Sequence, residues 1–149
     1  MLLRTILIII ALIHLVIYFK ALNKVKKQKK FYGNVHPLLV HSFGIFVWGD
    51  ALVLAPFFII TSLGLIIINN TYLTIGVYAS YMFLRQFGEV IYWFLQQFSQ
   101  KKEYRPPDKG WEYLKTDELH IIYQLLNFYK SVLWLVVLII AFIFLSKSF

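Results

Sequence analysis

Four apolar stretches punctuate the chain, and each is long enough to cross a hydrocarbon layer that needs about 20 helical residues. They cover about residues 2–19, 44–68, 74–97 and 126–145. Runs of this kind cannot all be buried inside a chain of 149 residues. With 60% hydrophobic residues, against about 45–50% in a soluble domain, the sequence predicts an integral membrane protein. The expected fold is all-α, a single polytopic domain over residues 1–149 built as a four-helix bundle with four transmembrane spans.

Basic residues orient the spans. The first loop, residues 20–36, holds Lys20, Lys24, Lys26, Lys27, Lys29 and Lys30. The second, residues 98–118, holds Lys101, Lys102, Arg105, Lys109 and Lys115, whereas Arg4 and Lys147 alone mark the opposite ends. Lys and Arg gather on the cytoplasmic side of membrane proteins, so both loops are expected there and both termini outside. The first span is not followed by a small-residue cleavage site but by "KALNKVKKQKK", and is read as retained. The expected location is the cytoplasmic membrane of a prokaryote. A kink is expected in the second span, at Gly44, Gly49 or Pro56, and a helical extension of the fourth span into the cytoplasm, capped by Thr116 or Asp117.

The net charge of +8 raises the question of nucleic acid. Aromatic interleaving of the basic loop stops at Phe31 and Tyr32, so no nucleic-acid partner is expected. The expected partner is a bilayer with an anionic inner leaflet, with a homo-oligomer or a partner membrane protein as further partners. The absence of cysteine excludes disulfides, thiol relays and thiolate metal sites. His14, His36, His41 and His120 fit no ligand spacing, and no phosphate loop or hydrolase motif is present. No metal and no cofactor are expected.

Charges inside the spans are the informative residues. Asp50, Arg85, Glu89 and Lys130 are two negative and two positive groups, all counted to the cytoplasmic half. Tyr78, Tyr81, Arg85, Glu89, Tyr92 and Gln96 fall within about 80° on the third span at 100° per residue. On the fourth helix His120, Tyr123, Gln124, Asn127, Lys130, Ser131 and Trp134 occupy about 120°. Two polar stripes at one depth are expected to face each other, because a charge turned to lipid costs about 2.5–3.5 kcal/mol at the helix centre. The expected ligand-binding residues are Asp50, Arg85, Glu89, Tyr92, Asn127 and Lys130, supported by His14, Tyr81, Gln96, Tyr123 and Trp134.

Three functions compete on these residues. The first is a cytoplasm-facing polar cavity that binds or transports a small amphiphile, a lipid headgroup or an ion. The second is an assembly or scaffold subunit whose polar stripes pair with partner helices. The third is an inner-leaflet lipid-modifying enzyme with Glu89 as acid or base, although no residue pattern selects a reaction. Against all three stands purely structural use: Arg85 and Glu89 can neutralise each other across one helical turn, and Asp50 can cap a helix after Gly49.

Overall fold

The computed structural model describes residues 2–28, 42–98, 113 and 115–148. Four helices account for most of them: α1 (Leu2–Gln28), α2 (Trp48–Ile68), α3 (Thr71–Gln97) and α4 (Thr116–Ser146). Among the described residues there is no strand. Residues 29–41, which include the end of the first basic loop, and 99–112, most of the second, lie outside the described residues.

Three helices are long and apolar enough to cross a membrane: α1, α2 and α4. Only 17%, 28% and 11% of their most apolar stretches are buried. Side chains such as Leu12, Val16 and Phe19 on α1, or Ile139, Ile140 and Phe142 on α4, are exposed. Contiguous apolar surface on that scale suits lipid as the surrounding solvent, because in water patches beyond a few hundred Å² are rare. The 27 residues of α3 give it the length to cross, but it is less apolar, since it carries Arg85, Gln86, Glu89, Gln96 and Gln97.

The helices begin and end where local chemistry allows. α1 continues through Lys20, Lys24, Lys26 and Lys27, because lysine is a good helix former and only the apolar segment, not the helix, stops at Phe19. α2 begins at Trp48 and is continuous through Pro56; the chain enters it past Gly44, whose φ of 62° is in the left-handed region. Asn69 (φ 53°) closes α2 in the same region, its N–H donating to the Leu65 carbonyl at 2.8 Å. Asn70 opens α3, its Oδ1 accepting the Leu73 N–H at 3.0 Å. The two-residue link thus uses the residue type that best tolerates both roles. α4 starts at Thr116 rather than after it, and the Glu118 carboxylate accepts the Lys115 N–H at 2.7 Å.

The chain forms two compact units, Met1–Thr74 and Ile75–Phe149. In the first, α1 and α2 run antiparallel: His14 stacks on Phe58 at 4.4 Å while Lys20 lies over the Trp48 ring at 5.7 Å. The buried residues of α2 are Trp48, Ala51, Ala55, Phe58, Ser62 and Leu65, alternating three and four apart. Leu7, His14, Ile17 and Ala21 keep the same repeat on α1, at spacings of seven, three and four. This is the spacing of a knobs-into-holes seam, and alanines at 21, 51 and 55, all fully buried, let the backbones approach closely.

Ala55→Leu is therefore expected to overfill this seam and lower stability by about 1–3 kcal/mol. Val53→Leu, at a position 71% exposed, leaves stability unchanged. Reversible unfolding in mixed micelles compares the two.

Candidate functional site

The second unit is held by a seam of the same spacing. On α3 it runs Gly76, Ala79, Phe83, Gln86, Val90, Trp93 and Gln97; on α4 it runs Ala141, Leu138, Trp134, Ser131, Asn127, Gln124 and His120. Every one of these residues is buried or half-buried. Three levels fix the antiparallel register. A Cβ on Gly76 would lie 3.8 Å from that of Ala141. Trp93 packs on Tyr123 and His120 at ring distances of 5.5 and 5.9 Å. Gln124 Nε2 donates to Gln97 Oε1 at 2.9 Å.

That register divides the seam by polarity. From Gly76 and Ala141 to Phe83 and Trp134 it is small or apolar. Beyond them Gln86 comes level with Ser131, Val90 with Asn127, and the seam ends on Gln97, Gln124 and His120. Several polar groups are satisfied by their own helix: Asn127 Nδ2 donates to the Tyr123 carbonyl at 2.8 Å and Ser131 Oγ to the Phe128 carbonyl at 2.7 Å. Others are not. Gln86 Oε1 and both ring nitrogens of His120 are buried with no hydrogen-bond partner among the described residues.

Arg85 and Lys130 flank this seam half-buried, and Glu89 is itself buried at 8% exposed. Arg85 Nη1 donates to Glu89 Oε1 at 2.6 Å, with the side chains 22% and 10% exposed. The short distance and i, i+4 spacing make them a neutral pair on one helix. On α3 a 3.5-residue repeat puts Met82, Glu89 and Gln96 on one stripe next to the seam residues. Lys130, half-buried, flanks the α4 side of the seam together with Tyr123. Tyr92 is 38% exposed and meets Trp93 edge-on at 4.9 Å. Tyr81, Gln96 and Trp134 are half-buried.

Asp50 and His14 belong to the first unit. Asp50 Oδ2 accepts the N–H groups of Phe46 (3.0 Å) and Val47 (3.3 Å), so its carboxylate closes the N-terminus of α2, where negative charge is favoured. His14 is fully buried, between Phe58 and the edge of Phe43 at 4.4 Å each. Its Nδ1 lies 2.8 Å from the Ile10 carbonyl. A carbonyl can only accept, so Nδ1 carries a proton, and Nε2 is buried without a hydrogen-bond partner among the described residues. No group of three or more metal-ligating side chains occurs among the described residues. His36 and His41 lie outside them.

The structure thus brings Arg85 to Glu89, and Tyr123 to Trp93. It adds Gln86, Trp93 and Gln97 as seam residues that a search for charge passes over. Their signal is spacing: two glutamines and a tryptophan continue the register of Gly76 and Ala79. No family model matches the chain, and neither the curated proteins nor the solved structures contain a match to it.

Two outcomes test these assignments. Asp50→Ala removes a capping carboxylate and lowers stability by about 0.5–2 kcal/mol, read from chemical unfolding in micelles. Arg85→Met and Glu89→Leu each leave an uncompensated charge and lower stability more than the double substitution does. A double-mutant cycle on the same assay measures this coupling, which vanishes if the two side chains act independently.

Proposed function

We propose that the chain is a four-span protein of the cytoplasmic membrane that binds a small amphiphile, a lipid headgroup or an ion at a polar site opening to the cytoplasm. In this reading α3 crosses as the third span and completes the four, the helices associate as a bundle, and both termini face outward. The supporting features are the eleven lysines and arginines of the two basic loops against two at the other ends, and an α3 length of about 40 Å at 1.5 Å per residue.

One observation carries the binding reading. Gln86 and His120 lie on one seam with buried polar atoms that no described residue satisfies. In lipid such atoms cost several kcal/mol each unless something pairs with them. A helix pair kept only for its mutual grip has no need of them, whereas a site for a polar group does. Glu89, Arg85 and Lys130 at the flank supply charges of both signs for a headgroup. The rival reading, an assembly subunit, is supported by the exposed aromatic and aliphatic side of α3, with Phe87 42%, Tyr92 38% and Phe94 51% exposed, against which a partner helix would pack.

Glu89→Gln separates them. With the protein reconstituted and delipidated stepwise, native mass spectrometry reads retained phospholipid of anionic and zwitterionic headgroup. A binding protein retains lipid in the wild type and loses it in Glu89→Gln at equal abundance. An assembly subunit instead shows lower abundance or partner recovery in that variant, with retention unchanged. Single cysteines introduced beside Ile68 and in residues 99–112 of this cysteine-free chain test the orientation. The loop cysteines react from the cytoplasmic side and the Ile68 neighbour from the outside.

A further inference from the structure

We propose that α1 carries a site for an anionic phospholipid. Lys20 and Lys27 hold its phosphate, and an acyl chain lies in a groove lined by Leu12, Ile13, Val16 and Ile17. The site belongs to the first unit and uses no residue of the α3–α4 seam, so it goes beyond the binding reading above.

The groove has a volume of about 320 Å³, at the lower end of the roughly 300–1,000 Å³ that small-molecule sites occupy. Leu12 and Val16 on its walls are 57% and 67% exposed, so it opens to the surrounding hydrocarbon. The basic residues follow on the same face of the helix. At 100° per residue, Ile13, Val16, Lys20, Lys24 and Lys27 fall within about 80°. The groove lies about 5–12 Å along the axis from Lys20 at 1.5 Å per residue. A chain seated in it therefore ends at a headgroup beside the lysines.

Packing makes this stretch a fixed surface rather than a loose basic tail. Past Phe19, Ala21 is fully buried and Val25 packs on the cluster of Ile17, Ala21, Ile45 and Trp48. Those contacts hold the lysine turns of α1 against α2. Lys20 Nζ stands over the Trp48 ring at 5.7 Å, a contact that positions an ammonium whose three donors suit phosphate oxygens. Lys20 and Lys27 are exposed, and Lys24 between them is half-buried. Charge then selects the ligand. Asp50 is the single acidic residue among residues 1–74, and its carboxylate accepts the Phe46 and Val47 N–H groups. A lipid phosphate supplies the missing negative charge, and the chain attached to it fills the groove. A soluble anion would use the lysines alone, and a neutral lipid the groove alone.

The test is photocrosslinking on the full chain in phosphatidylcholine nanodiscs. The probe is phosphatidylglycerol with a diazirine in its acyl chain, and peptide mass spectrometry maps the crosslinked residues. Crosslinks are expected on residues 12–17, in higher yield than with a phosphatidylcholine probe of the same chain. Lys20→Gln and Lys27→Gln should each lower the phosphatidylglycerol yield about fivefold. Lys26→Gln, about 120° away round the helix, should leave it unchanged. If Lys20→Gln fails to accumulate, Lys27→Gln, at an exposed position, decides. Equal yields from the two lipids overturn the proposal. So does a loss in Lys26→Gln as large as in Lys27→Gln, because diffuse attraction to the basic segment is then sufficient. Crosslinks spread evenly along α1 also overturn it, because the groove then holds nothing. Glu89→Gln, in the other unit, should leave the α1 crosslink unchanged, so this site and the one proposed on α3 and α4 stand or fall separately.

Discussion

Helices in a hydrocarbon solvent gain nothing by hiding leucine from one another, because the surrounding chains are equally apolar. What remains is close contact, and both units of this protein depend on it. Ala21, Ala51 and Ala55 in one unit, and Gly76, Ala79 and Ala141 in the other, occupy positions alternating three and four apart. Larger side chains at these places would hold the backbones apart and forfeit the dispersion contacts of the whole seam. The bulky residues, by contrast, are largely turned outward, as the exposed faces of α1 and α4 show.

Polar residues enter this scheme under strict terms. Some are neutralised within one helix: Arg85 by Glu89, Asn127 and Ser131 by carbonyls a turn away. Asp50 is used where four backbone donors need an acceptor, at a helix start. Once those are accounted for, few groups are left, and they are not the charged ones. Gln86, His120 and His14 are neutral or titratable side chains buried without full partners. In the proposed binding role, the groups left to meet a ligand are these amide and imidazole side chains.

Much of this architecture is legible in the sequence, for physical reasons that also explain the rest. Helix and span are different quantities, and apolarity reports only the second; hence α1 runs on through its lysines to Gln28, past the end of its apolar run. The cap at Asp50 was legible because a side chain makes it, whereas the close of α2 at Asn69 is made by a backbone N–H and leaves no such mark. The α4 stripe of His120, Tyr123, Gln124, Asn127 and Ser131 follows from polarity, since those residues stand out against Leu and Ile. The facing side of α3 does not. Polarity draws attention to Arg85 and Glu89, whereas packing selects Gly76, Ala79, Phe83, Gln86 and Trp93, a mixed set that only spacing identifies.

The Asn69–Asn70 link has a consequence for biogenesis. Its polar burden is small: two uncharged side chains, with the Asn69 N–H donating to the Leu65 carbonyl and Asn70 accepting the N–H groups of Leu73 and Thr74. In the proposed topology a connection so short and uncharged is carried through a translocation machinery without moving any charge. Under the four-span topology proposed above, the flanking helices enter the bilayer in a single event, and the lysine-rich segments stay behind on the side where they were synthesised.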